Sequence, residues 1–228
     1  MRFATIQMLT LAALGLLPIA ARADAIDKAV PPPSFDERLW PKETIVLAGG
    51  CFWGMQGVFE HVKGVTKVVA GYAGGEKRTA TYDQVTTETT GHAESVSISF
   101  DPKVVSLGTL LRIYFSVAHD PTEVNRQGPD EGTSYRSEIF AANEEQARVA
   151  RAYIAELDRA HIFDAPIATK VESLKGFYPA EGYHQDFLLK HPDHGYIMVN
   201  DLPKIAALKR VFPALYRESP VRLADAGP

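Results

Sequence analysis

The chain has 228 residues, of which 46% are hydrophobic, 10% aromatic and 23% charged, a balance that excludes disorder or a collagen-like repeat and fits one or two globular domains. Its 24 basic and 28 acidic residues leave a net charge of −4 with no basic run, which argues against nucleic-acid binding by charge. A single cysteine, Cys51, excludes an internal disulfide and any zinc site built from several thiolates.

The first segment opens with Met1-Arg2, runs apolar from Met8 to Ala21 and ends in Ala21-Arg22-Ala23-Asp24-Ala25. A short basic start, a short apolar stretch and small residues at alternate positions predict a secretory signal peptide over 1–23, with cleavage after Ala23 or Ala25 fitting equally well. The apolar run is shorter than the roughly 20 residues that span a bilayer, and no second one follows. The expectation is an exported, periplasmic protein with no membrane insertion after processing. An oxidising compartment is an unusual place for an unpaired thiol with only structural duties, although a buried, inert Cys51 stays open at this point. Residues 24–42, with Pro31-Pro32-Pro33, predict an extended linker. A folded domain is expected over 43–217 and a flexible tail over 218–228.

Within the domain, strand-like and helix-like segments alternate. Residues 44–48 predict a short apolar strand ending at Gly49-Gly50, and 51–62 show helical spacing through Met55, Val58, Phe59 and Val62. Residues 67–72 predict a second strand. In 92–100, Ser95, Ser97 and Ser99 alternate with Val96, Ile98 and Phe100, the period of a half-buried strand. Ser106 is expected to cap a helix through 118, followed by a loop over 119–134 and a strand over 135–141. Asn143 with Gln146 predicts a capping box opening a helix to about 159. A strand over 167–174, a short helix over 180–190 and a last helix over 202–216, interrupted by Pro213, complete the pattern. Mixed strands and helices without a strict repeat predict an α/β fold, a two-layer sandwich with a mixed sheet and flanking helices.

The chemistry concentrates at the first strand–helix junction. In Gly49-Gly50-Cys51-Phe52-Trp53-Gly54 the glycines permit a sharp turn that leaves Cys51 at a helix N-terminus. There the helix dipole and free N–H groups favour an anion, so the thiol pKa is expected below its reference of about 8.5. Phe52 and Trp53 point about 100° apart on a helix, so they do not both face one core, and an apolar cup beside the thiol is an alternative to core packing. Alternation puts Glu94 on the apolar side of its strand, where burial raises a carboxyl pKa and fits it to donate a proton. The alternative is a frayed strand end with Glu94 in water. Tyr82 and Tyr135 offer phenol donors, and Asp130 is a candidate to pin the loop before Tyr135.

Gly50-Cys51-Phe52-Trp53-Gly54, Gly91-His92-Ala93-Glu94, His119-Asp120-Pro121-Thr122, Asn125-Arg126-Gln127-Gly128, Asp130, Gly132, Tyr135-Arg136-Ser137 and Tyr183-His184-Gln185 occur in this order over residues 43–200. Together they resemble peptide methionine sulfoxide reductase of the A type. The resemblance implies an α/β plait sandwich and an enzyme that reduces the S epimer of methionine sulfoxide, free or within oxidised proteins. It implies that Cys51 attacks the sulfoxide sulfur and Glu94 protonates its oxygen. Tyr82 and Tyr135 would hydrogen-bond that oxygen, and Phe52, Trp53 and Asp130 would bind substrate, the two aromatics around the S-methyl group. No metal or organic cofactor is implied, because the electrons come from sulfur and leave a sulfenic acid on Cys51.

Many members of that family carry further cysteines near the C-terminus, whereas residues 195–228 contain none. The expectation is a one-cysteine cycle closed by an external thiol, a small one or a thioredoxin-like protein, acting on a monomer. Two other classes stay open. A Cys51–His184 pair would make a hydrolase or acyltransferase, and an aromatic cup without turnover would make a binder of oxidised methionine. His92, His119 and His184 share no short spacing, which makes a metal site a weak reading.

Overall fold

The computed structural model describes residues 28–36 and 43–223. The expected signal peptide, 1–23, lies outside the described residues. No helix among the described residues is long and apolar enough to cross a membrane.

A six-stranded mixed sheet forms the centre. Strands β1 (Glu43–Ala48), β2 (Val65–Ala73) and β3 (Ala93–Phe100) are its long members; β1 and β2 flank β3, both antiparallel to it. The helices α1 (Phe52–Glu60), α2 (Tyr82–Val85) and α3 (Leu107–Ile113) interleave with them. A small hairpin, β4 (Arg126–Gln127) with β5 (Asp130–Glu131), precedes β6 (Glu138–Ala141) and α4 (Glu144–Arg159). The chain closes with β7 (Lys170–Ser173), β8 (Phe177–Pro179), α5 (Phe187–Lys190) and α6 (Leu202–Val211). Strand order is β7-β6-β1-β3-β2-β8, and only β6 and β7 run parallel.

The alternation read in β3 sorts the two layers. Val96, Ile98 and Phe100 are fully buried with Ile45, Leu47, Val68, Ala70 and Tyr72 in the main core, which also takes the apolar faces of α1, α3 and α4. The opposite face carries a small cluster of Val46, Ala48, Ala73, Ala93 and Phe140. The predicted caps hold. Ser106 Oγ accepts the Thr109 N–H at the start of α3, and Asn143 Oδ1 accepts the Gln146 N–H at the start of α4.

Several boundaries differ from expectation, each for a visible reason. Tyr135 is not in a strand; it ends a 3₁₀ turn, Thr133–Tyr135, and β6 starts at Glu138. Of the helix expected over 180–190, only α5 forms, because Asp186 is left-handed (φ 53°) and Gln185 is captured by β2. Its Oε1 accepts the Ala70 N–H, and its Nε2 donates to the carbonyls of Ala70 and Ala180. The helix after Ser106 widens into a π turn over Tyr114–Ala118, and a second π turn, Ile197–Asp201, precedes α6.

The described part of the expected linker, 28–36, is docked rather than free. Val30 is buried, its N–H donates to Ser116 Oγ and its carbonyl accepts Arg112 Nε at 2.7 Å. Asp36 Oδ1 accepts the Gly108 N–H of α3. Extended Pro-rich backbone leaves its carbonyls free for such partners. The expected flexible tail is likewise tied down through residue 223: the Val221 N–H donates to the Glu60 carbonyl and the Leu223 N–H to Asp186 Oδ1.

Candidate active site

The end of β1 and the start of α1 build the site. Gly50 turns the chain with φ +87°, and a side chain there would meet Gln127 at 2.5 Å, so glycine alone fits. Cys51 follows as the N-cap residue of α1 and keeps 9% of its surface exposed. Because β1 turns away here, the first residues of β3 lose their neighbour on that side. Glu94, opposite Tyr72 in the register, fills the gap, and its Oε2 accepts the Phe52 N–H at 3.0 Å. The first free N–H group of α1 thus binds a carboxyl group of β3.

Burial settles the protonation of both groups. Glu94 is pushed up to about 8, mainly by burial, with Asp130, Glu88 and Asp201 adding to it and the Phe52 N–H opposing. Its burial and raised pKa are those expected from strand alternation, and it does not fray into water. The thiol departs from expectation. Burial drives Cys51 well above the ordinary range, with Glu94 (once ionised) and Asp201 adding to it, and the Trp53 backbone N–H opposes this only in part. The dipole of a nine-residue helix is outweighed by desolvation and nearby carboxylates. The resting site therefore holds a neutral thiol beside a neutral acid.

The two aromatic residues after the thiol differ in exposure. Phe52 is fully buried, with its ring 5.0 Å from His184 and 5.8 Å from Tyr72. Trp53 is half-buried and stacks on Phe187 at 3.8 Å, with Tyr196 edge-on at 6.0 Å. Its indole N–H donates to His184 Nδ1 at 3.1 Å. That bond leaves the proton of a neutral His184 on Nε2, which is buried without a hydrogen-bond partner among the described residues. Neither ring nitrogen bonds the thiol, so the base-and-nucleophile pairing of a cysteine hydrolase is not formed.

Tyr82 and Tyr135 approach the same place from α2 and from the Thr133–Tyr135 turn. Burial raises both phenols, and both feel the charges of Glu94 and Cys51, which places the four groups within one electrostatic neighbourhood. Asp130 accepts the Tyr196 hydroxyl; its observed role is to hold the aromatic that edges onto Trp53. His92 and His119 belong elsewhere. His92 Nδ1 accepts the Gly75 N–H, and His119 bonds Ser137 Oγ and the Tyr114 carbonyl, with burial lowering its pKa to about 3.

A family model described as peptide methionine sulfoxide reductase matches residues 43–214. "Peptide methionine sulfoxide reductase MsrA 2" of Mesorhizobium japonicum is 58% identical over 192 residues, covering 84% of this chain and 98% of that protein. The chain belongs to the peptide methionine sulfoxide reductase family. "Peptide methionine sulfoxide reductase MsrA 2" of Synechocystis is 52% identical over 75% of this chain and 79% of that protein. Among solved structures, the reduced form of Mxr1 from Saccharomyces cerevisiae aligns with TM-score 0.59 and 35% identity over 67% of this chain and 87% of that one. The chain is thus a methionine sulfoxide reductase, and its α/β sandwich is the fold of those enzymes.

Sequence reasoning missed several groups of this reductase site. Glu181 receives both the Tyr82 N–H at 3.0 Å and the Tyr72 hydroxyl at 2.9 Å, and so fixes the start of α2. Tyr196 joins Trp53 to Asp130. Asp201 and Lys204 form a buried ion pair at 3.2 Å beside Gly54 of α1. Each lies far along the chain from the group it serves, and no local pattern marks it.

Proposed function

We propose that Cys51 reduces the S epimer of methionine sulfoxide, free or in oxidised proteins, with Glu94 as the proton donor. The observation that carries this is the buried Glu94, bonded to the first N–H of the helix whose N-cap residue is Cys51, where burial pushes its carboxyl up to about 8. A sulfoxide oxygen leaves sulfur only when protonated. Glu94 supplies that proton, the Tyr82 and Tyr135 hydroxyls bind the oxygen, and Cys51 Sγ attacks the sulfur as its own proton passes back to Glu94. Oxygen moves from the methionine sulfur to Cys51, so the thioether is reduced and the thiol becomes a sulfenic acid. A neutral thiol beside a neutral acid suits this exchange, since neither charge has to be buried before substrate arrives. Phe52 and Trp53 form the apolar wall for the S-methyl group.

The chain holds one cysteine, so the sulfenic acid awaits an external reductant. Two equivalents of thiol, or one dithiol of a thioredoxin-like protein, return Cys51–SH and release water and a disulfide. We further propose an exported, monomeric enzyme processed after Ala23 or Ala25, to be checked by N-terminal sequencing of secreted material and by its mass in solution.

The direct test mixes thiol-free enzyme with separated sulfoxide epimers. One equivalent of methionine and one oxygen retained on Cys51, trappable by a cyclic dione, are expected from the S epimer only. Methionine release from Cys51→Ser, or turnover without thiol consumption, would overturn the reading.

A further inference from the structure

We propose that Glu88 is a positioning residue for the reduction: its carboxylate holds the turn over 132–135 that delivers the Tyr135 phenol. The inference rests on the proposed role of Tyr135 as a donor to the sulfoxide oxygen.

Glu88, whose charge also reaches Glu94, lies just beyond α2 with φ +62°. A residue with a Cβ is disfavoured in this conformation and persists there when its surroundings over-determine it. The surroundings here are the turn that ends in Tyr135. Glu88 Oε2 accepts the Ser134 N–H at 2.8 Å and the Thr133 hydroxyl at 3.0 Å, and Oε1 accepts the Ser134 hydroxyl at 2.6 Å. Three donors from two consecutive residues meet one carboxylate. Gly132 makes room for it: with φ +138°, a Cβ there would lie 2.4 Å from the Glu88 carboxyl carbon.

From its other side the turn is held by Arg136, whose Nη1 donates to the carbonyls of Thr133 and His92 and whose Nη2 donates to that of Gly91. The turn is therefore strapped at both ends to segment 88–92, which leads directly into β3 and Glu94. Proton donor and phenol are indexed to the same stretch of backbone. A side chain that bonds a substrate oxygen loses catalysis steeply when displaced by about 1 Å, so the strap has a kinetic signature beyond stability.

The test is a double-mutant cycle on single-turnover methionine formation at saturating S epimer, run at pH 6 so that Glu94 stays protonated in every variant. Glu88→Gln keeps the size of the side chain but turns an amide toward the Ser134 and Thr133 donors. Glu88→Gly removes the carboxylate and relieves the left-handed backbone, so its stability loss is offset while its alignment loss is not. Both variants are expected to slow the step about 10- to 100-fold with KM little changed. In a Tyr135→Phe background, Glu88→Gln should cost less than about twofold more. Wild-type rates in both Glu88 variants, with Tyr135→Phe slow, would overturn this inference alone. So would a Glu88→Gln that keeps its full cost in the Tyr135→Phe background. Tyr135→Phe at the wild-type rate would overturn the phenol's role and this inference together.

Discussion

Each end of α1 meets a buried carboxyl group, and the two have different consequences. At the N-terminal end Glu94 is raised to about 8; near the C-terminal end Glu60 is raised to about 9. Burial is the leading cause in both. Their partners differ. Glu94 accepts a backbone N–H and lies next to a thiol, two phenols and an aromatic wall. Glu60 has no hydrogen-bond partner at either oxygen among the described residues, and the neighbouring Asp186 adds to the upward push of burial. The tail then closes over it: the Arg217 N–H donates to the His61 carbonyl, the Val221 N–H to the Glu60 carbonyl, and Tyr216 stacks on the His61 ring. A perturbed pKa therefore does not mark a catalytic acid by itself. Access and a reacting neighbour do.

Four measurements sharpen this contrast, in order of expected effect. Cys51→Ser should reduce methionine formation to the uncatalysed level, because a hydroxyl in the same place lacks the nucleophilicity and the redox chemistry of sulfur. Glu94→Gln should slow single-turnover reduction by about 10²- to 10⁴-fold. The pH profile of the wild type supplies the sign. The acid form is the competent one, so activity is present below pH 8 and lost as pH rises through about 8; that limb should vanish in Glu94→Gln. A limb near the ordinary carboxyl range instead would remove Glu94 from its role. Tyr82→Phe removes one donor to the oxygen and should cost about 10²- to 10³-fold in the same assay; an unchanged rate would free Tyr82 of that task.

The smallest effect on activity is expected at the other end of the helix. Glu60→Gln should leave turnover unchanged and stabilise the fold by about 1–3 kcal/mol near neutrality. The folded-state pKa is about 9 against an ordinary 4.5, so the native chain must keep a proton that the unfolded chain releases. Stability from this group is greatest below pH 4.5 and declines as pH rises toward 9. The variant should flatten that decline in urea titrations at pH 5 and pH 8. A loss of stability in Glu60→Gln at pH 8 would mean that Glu60 is ionised and paired.

Where the chemistry follows a local period, it was legible. Alternation in 92–100 set Glu94 on the buried face, the Gly-Gly-Cys junction put the thiol at a helix start, and Ser106 and Asn143 marked their helices, because backbone geometry repeats within a few residues. The Tyr135 turn, Asp186 and the docked 28–36 segment escaped, because each is shaped by partners at a distance: Glu88 and the Gly91 and His92 carbonyls for the turn, β2 for Gln185, and for the Pro-rich stretch α3 together with α4, where Glu156 accepts the Ser34 N–H and the Tyr153 hydroxyl donates to the Pro31 carbonyl.

The thiol marks the boundary most sharply. The order of residues alone put one sulfur at a helix start with two aromatics after it, and pointed a carboxyl group to the apolar face of a strand. Only the assembled sheet and helices decided that the sulfur keeps its proton. A helix dipole acts over one turn and can be read from a junction, whereas desolvation and the nearness of the Glu94 and Asp201 carboxyl groups depend on how far the chain folds back upon itself.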